Sequence, residues 1–353
     1  MVRTALAMLL LLFGHPRVGA QSEPLRHEPT PPKPQVLQAQ INGAGSTTIN
    51  VRFSAWINEY QGFHPGIRIS YQPIGSSGGV RQFIERNISF AATDVPMTNE
   101  QIAKAGVRVL QLPVALTAVV PLYNLAQVSK LQLSGTTLAD ILLGKITKWS
   151  DPAIAADNPG GNLPATEIKI FPTFATGTTA VHVMADYLSK VSPTFKAAPT
   201  NSSGWPEFHS TYYHYKGAEG TEAFVATTPG AFGFGWQHPY SENMRSAAVK
   251  NSDGEFLTAS PESIAAAGVS ALSGLQNQEP DFRISITNAP GKTAYPVASF
   301  IWLILPDEDG RPENVALTDF VKWILTEGQK SALKLGYGAL PEALVQAELK
   351  QVR

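Results

Sequence analysis

Three times along this chain a short β-type run ends in a cluster of Gly, Ser and Thr that opens directly into a helical pattern, and this recurring unit constrains the fold more than any other feature. Ile41 opens the first strand. Gly43-Ala44-Gly45-Ser46-Thr47-Thr48 follows, and Ile49, Phe53, Trp56, Ile57 and Tyr60 then recur at three- and four-residue spacing. In the second unit Ile67-Arg68-Ile69-Ser70-Tyr71 alternates like a strand, Gly75-Ser76-Ser77-Gly78-Gly79 makes the loop, and Val80, Phe83 and Ile84 begin a helix. The third runs from Glu167–Phe171 through Thr176-Gly177-Thr178-Thr179 to Val181, Met184, Ala185 and Leu188. Strands alternating with helices predict an α/β chain with parallel sheets, whose ligands lie beyond the carboxyl ends of the strands.

Each loop has the makings of an anion seat. The first amides of a helix have no internal partner and carry the positive end of its dipole. Glycine lets the backbone approach closely, and Ser and Thr hydroxyls add donors. The competing reading is that these hydroxyls are ordinary N-caps, which most helices need. Any one loop reads most simply as a cap; three such loops in one chain favour anion capture.

The ends of the chain read differently. Arg3, the apolar run Ala5–Phe13 and the small residues Val18-Gly19-Ala20 predict a secretory signal peptide over residues 1–20. Residues 21–39 hold Pro24, Pro29, Pro31, Pro32 and Pro34 with few apolar residues, so an extended leader is expected before a fold that starts near Gln40. The remainder is long enough for two domains. A formal net charge of −1 excludes a strong field toward nucleic acid or a membrane surface. The absence of cysteine excludes disulfides and thiolate chemistry, and fits a bacterial periplasm better than a eukaryotic extracellular space. No His or carboxylate spacing suggests a metal, and no cofactor is expected.

Asp94 stands at the end of another strand-like run, Phe90-Ala91-Ala92-Thr93. A carboxylate repels an anion unless the anion carries a proton, because an ionised carboxylate can only accept. Hydrogen phosphate can donate that bond, whereas sulfate sets two acceptors face to face, at a cost of about 1–3 kcal/mol or more. The alternative role for Asp94 is to cap the turn before Val95-Pro96.

These residues resemble a known family. Gly43-Ala44-Gly45-Ser46-Thr47, Gly75-Ser76-Ser77-Gly78-Gly79, Thr93-Asp94-Val95-Pro96, Leu138–Ile146 with Lys148-Trp149, Pro229–Phe234 and Tyr295-Pro296 are similar to the phosphate-binding component of Pst-type ABC phosphate importers. The resemblance runs from about Asn42 to Leu340. It implies an α/β, two-lobed periplasmic binding protein of type II-like form, with the ligand cleft between lobes joined by crossover strands. One lobe would comprise residues 40–117 plus 294–353 and the other residues 118–293. The ligand contacts it implies are Thr47, Thr48, Ser76 and Asp94 from the first lobe and Thr176, Gly177 and Thr178 from the second. It also implies a periplasmic binder without catalysis, delivering inorganic phosphate or a related oxyanion to ABC permease subunits, with no nucleic-acid partner and no membrane insertion of the mature protein.

One departure matters. The family's third loop carries an arginine for the anion and an aspartate that holds it. In Phe171-Pro172-Thr173-Phe174-Ala175-Thr176-Gly177-Thr178, Pro172 and Phe174 occupy those places. A charge-assisted hydrogen bond is worth roughly 1.5–3 kcal/mol. Three explanations stand side by side. Amides and hydroxyls suffice; or another cation such as Arg81, Lys169 or Lys216 takes part; or the ligand is organic and meets Phe171, Phe174, Tyr213 or Trp236. An enzyme reading is also open, since Gly75-Ser76-Ser77-Gly78-Gly79 satisfies G-x-S-x-G with Ser77 as nucleophile and His182, His209, His214 and His238 as candidate bases.

Overall fold

The computed structural model describes residues 38–171, 179–199, 217–237, 244–270, 272, 281–307, 311–331 and 337–352. In chain order the first part is β1 (Ala39–Gly45), α1 (Asn50–Phe63), β2 (Ile67–Gln72), α2 (Ser76–Ile84), β3 (Phe90–Thr93), α3 (Asn99–Ala105) and β4 (Val109–Tyr123). Next come β5 (Gln132–Leu133), α4 (Gly135–Leu142), α5 (Pro152–Asp157), β6 (Lys169–Ile170), α6 (Ala180–Val191) and α7 (Pro193–Ala197). They are followed by α8 (Gly217–Thr227), β7 (Ala231–Trp236), β8 (Arg245–Ser246), β9 (Ala248–Lys250), β10 (Phe256–Leu257) and α9 (Pro261–Ser270). The chain ends with β11 (Ala298–Pro306), α10 (Pro312–Leu325), a short 3-10 turn (Glu327–Ser331) and α11 (Glu342–Leu349).

Among the described residues the main sheet has the order β2-β1-β3-β11-β4-β7-β6, with β8 also on β4. The sequence pattern predicted parallel sheets, but the sheet is mixed. β1 pairs in parallel with β2 and β3, and β6 with β7, whereas β11 is antiparallel to both β3 and β4. Strand direction is set by how the chain returns to the sheet, which hydrophobic spacing does not encode. β4 is the crossover. It pairs with β11 up to Ala118 and with β7 from Val119 onward, so one strand runs through both halves of the sheet.

Burial explains why the central strands are apolar. All four residues of β3 and eight of the nine in β11 are buried. Phe90, Ala92 and Leu303 join the large core, while Ala91 and Ile304 pack on the opposite face with Val80, Phe83, Met97 and Ala105. A strand covered on both sides reads as a continuous apolar run. α1 covers one face through Phe53, Trp56, Ile57 and Tyr60. The Phe53 ring lies 4.8 Å from Tyr71, 5.6 Å from Phe90 and 5.8 Å from Phe320. Each such buried ring contributes about 1.5–3 kcal/mol.

The second unit departs from its expected boundary. Gly75, at φ 86°, is the N-cap, and Ser76–Gly79 form the first turn of α2 rather than a loop. Two glycines in a helix cost about 1 kcal/mol each, and packing offsets that cost. A Cβ on Gly79 would sit 2.5 Å from the Gly45 Cα and 2.6 Å from the Ala44 carbonyl oxygen, so glycine is what lets α2 lie against β1.

Candidate functional site

β1, β2 and β3 run parallel, and their carboxyl ends deliver three groups to one point: Ser46 after β1, Ser76 at the start of α2, and Asp94 after β3. The Asp94 carboxylate is buried and ringed by hydroxyls. Ser46 Oγ donates to Oδ1 at 2.5 Å. Ser76 Oγ donates to Oδ2 at 3.0 Å, Thr179 Oγ1 at 2.9 Å and Thr48 Oγ1 at 3.4 Å. Thr179 belongs to the start of α6, so the third unit reaches the same carboxylate as the first two. Burial pushes the Asp94 carboxyl up, and the bonds from Ser46, Thr179, Ser76 and Thr48 oppose that rise. Tyr71 donates to the Ser46 carbonyl at 2.7 Å, and its phenol is raised by burial and then by the charge of Asp94.

The hydroxyls of the three units are not spent as caps. α1, α2 and α6 each begin with no side-chain cap hydrogen bond. Elsewhere Thr98, Ser134, Asp151 and Ser192 do cap α3, α4, α5 and α7. The ordinary-cap reading thus describes other helices of this molecule and not these three. In α1 the first amide, of Asn50, donates to the Thr47 carbonyl, whereas no side chain caps the first amides of α2 and α6, which stay open to a ligand.

Of the expected contact residues, Thr48, Ser76 and Asp94 come together. Thr47 stands beside them with an exposed side chain, and its carbonyl receives the Asn50 amide at 3.2 Å. Thr176, Gly177 and Thr178 lie outside the described residues, as do Pro172 and Phe174. Two partners of Asp94 went unread: Ser46, between Gly45 and Thr47, and Thr179, one residue beyond the expected set. The only signal for either was membership of a hydroxyl run.

The other candidates separate as well. Arg81 and Lys169 are exposed, and Lys216 lies outside the described residues. Phe171 is buried against Phe224, with ring centroids 5.3 Å apart, so it serves the core rather than lining a cleft. Trp236 is buried in β7, and Tyr213 is outside the described residues. Ser77 is exposed, whereas its neighbour Ser76 turns to Asp94. Beside Asp94 lies a cavity of about 150 Å³ walled by Val95, Pro96, Val183, Ile286 and Trp302. Asp186 on its border is already held by Lys190 at 3.0 Å and by the hydroxyls of Ser285 and Thr287.

Residues 30–327 match the family model of the PBP superfamily domain. The chain belongs to that superfamily. Within it, the "Phosphate-binding protein PstS" of Xylella fastidiosa (strain Temecula1) is 36% identical over 324 residues, covering 90% of this chain and 86% of that protein. The protein of the same name from Pasteurella multocida (strain Pm70) is 34% identical over 316 residues, 88% of this chain and 89% of its own length. This PBP-superfamily chain also superposes on a putative phosphate ABC transporter substrate-binding protein with bound phosphate from Clostridium perfringens. The TM-score there is 0.60 at 15% identity, over 86% of this chain and 100% of that one. A phosphate-binding protein from Stenotrophomonas maltophilia gives 0.59 at 17% identity, over 89% and 94%. These likenesses carry the two-lobed, type II-like fold. No helix among the described residues is long and apolar enough to cross a membrane.

Proposed function

We propose that this protein is an extracytoplasmic solute-binding protein that captures inorganic phosphate and hands it to the membrane permease of an ABC importer. One observation supports this most: a buried carboxylate, Asp94, gathers hydroxyls from three uncapped helix starts. In the reading offered here those hydroxyls rotate from Asp94 to an entering anion. Ionised Asp94 then accepts a hydrogen bond from the protonated oxygen that hydrogen phosphate carries and sulfate lacks. The named function of the PstS relatives agrees with it.

The contact set of this proposal is Thr47, Thr48, Ser76 and Asp94 with Thr176, Gly177 and Thr178, to which Ser46 and Thr179 are added. The two lobes are residues 40–117 with 294–353, and residues 118–293. Closure of one lobe on the other would exclude water and strengthen each hydrogen bond. Residues 1–20 serve as the signal peptide and the protein works in the periplasm, as a binder without turnover. Ser77 is then a solvent-facing helix residue rather than a nucleophile, and Ser77→Ala leaves phosphate binding intact.

A second reading rests on the cavity beside Asp94. Its mostly apolar walls, with His182 and Arg283 among them, and its volume of about 150 Å³ fit a small organic substituent on a phosphate or phosphonate group. One calorimetric experiment separates the two. Protein purified without phosphate is titrated near neutral pH with phosphate, with sulfate and with a simple alkylphosphonate. Micromolar or tighter phosphate binding with sulfate silent supports the first reading. A response to the phosphonate alone supports the second, and silence toward all three by folded protein overturns both.

A further inference from the structure

Pro172 stands where the family resemblance leads one to expect an arginine, and among the described residues the side chains bonded to Asp94 are all hydroxyls, so an anion entering here needs positive charge from elsewhere. Two cations near the site are already matched. Arg283, on the border of the cavity, holds Asp281 through Nε at 2.8 Å and through Nη2 at 2.5 Å. Lys190 holds Asp186 at 3.0 Å.

Arg52 is different. It is the third residue of α1, one helical turn beyond Thr48, and it is fully buried. Its guanidinium carbon lies 4.3 Å from the Trp56 ring centroid and 5.4 Å from that of Tyr337. Nη2 donates to the Gly328 carbonyl at 3.4 Å, while Nε and Nη1 have no acceptor among the described residues. No described carboxylate forms an ion pair with it. Tyr337 joins this cage to the site, because its hydroxyl donates to the Thr48 carbonyl at 2.6 Å and its phenol feels both Arg52 and Asp94. One aromatic ring therefore separates the guanidinium from the Thr48 loop. Burial pulls Arg52 down to about 9, against the influence of Tyr337, which leaves it charged at neutral pH.

A buried cation without a counter-charge is costly unless an anion arrives to answer it. We propose that Arg52 is the resident cation of this anion site, a positioning residue that attracts the ligand through the interior and through Tyr337 rather than by touching it. This assignment rests on the phosphate reading above. It gives α1 two sources of positive potential at the same end, the dipole of a first turn that no side chain caps and a fixed charge one turn behind it.

The test compares inorganic phosphate binding by the wild type, Arg52→Met and Arg52→Lys, by calorimetry at pH values on either side of phosphate's second ionisation, with circular dichroism as the fold control. Arg52→Met is expected to weaken binding of the dianion by about tenfold and of the monoanion clearly less, because a field acts in proportion to ligand charge. Arg52→Lys places at the same point an ammonium that burial neutralises more readily than a guanidinium, and is expected to fall between the wild type and Arg52→Met. If Arg52→Met does not fold, Arg52→Gln supplies the same comparison. An equal loss for both ionisation states, or no loss, overturns the assignment while the phosphate reading stands. A wild type that binds no phosphate removes both.

Discussion

Thr179 Oγ1 donates to Asp94 Oδ2 at 2.9 Å, joining two residues 85 positions apart in the chain. The bond ties the start of α6, from the third strand–loop–helix unit, to the aspartate that the first two units already surround. Thr179→Val keeps the shape and removes the donor. Phosphate affinity is expected to fall roughly three- to tenfold with little change in thermal stability, as one hydrogen bond among several is lost. Calorimetry alongside a melting curve checks it; unchanged affinity means that Thr179 takes no part in holding the ligand.

Asp94→Asn replaces an acceptor with a group that also donates. Phosphate is expected to weaken by roughly ten- to hundredfold and sulfate to gain measurable binding, since the clash of acceptors is relieved. Competition between the two anions reads the change directly. A variant that still excludes sulfate would show that selectivity resides elsewhere.

The wild type should show the same effect with pH. Burial raises the Asp94 carboxyl above its usual range, with its four hydroxyl partners opposing. As pH falls through that raised value the group gains a proton and becomes a donor. Sulfate exclusion is therefore expected to fade on acidification, beginning above the pH at which an ordinary aspartate would titrate. Sulfate titrations over descending pH follow it, and a selectivity that holds flat to the acid limit of folding contradicts it.

Glu348 in α11 is fully buried, and neither carboxylate oxygen has a partner among the described residues. Burial raises it well above the ordinary glutamate value. A carboxyl whose folded pKa exceeds its unfolded one contributes stability that is complete below the unfolded value and is lost as pH rises through the folded value. Glu348→Gln is therefore expected to stabilise the protein by about 1–3 kcal/mol near neutral pH and to have no advantage in acid. Denaturant titrations at two pH values test this; equal effects at both would remove the titration argument.

Gly79→Ala places a methyl group against the backbone of Gly45 and Ala44. The expected loss is about 1–3 kcal/mol of stability, together with weaker phosphate binding, because α2 must shift and carry Ser76 away from Asp94. A variant with native stability would show that the α2–β1 contact has slack.

Local patterns in the chain specify the elements and the chemistry of their ends. Alternation and three- to four-residue spacing marked β2, α1 and α6, and the apolar run over Phe90–Thr93 marked β3 with Asp94 at its end. Such patterns are local, so a chain read in one dimension displays them. Long-range packing selects which hydroxyl in each run turns inward. Ser46 and not Thr47 meets Asp94 48 residues away, and Ser76 and not Ser77 meets it 18 away. Adjacent residues offer the same chemistry in the sequence, and only the packed backbone distinguishes them. It also decided that α2 starts at Ser76, because a glycine contact with β1 outweighs helix propensity. The same holds for Arg52. On a helical wheel it is one more charged residue, and what buries it is a carbonyl 276 positions away at Gly328 and the ring of Tyr337. Burial of a charge depends on what covers it, and the covering residues come from the far end of the chain.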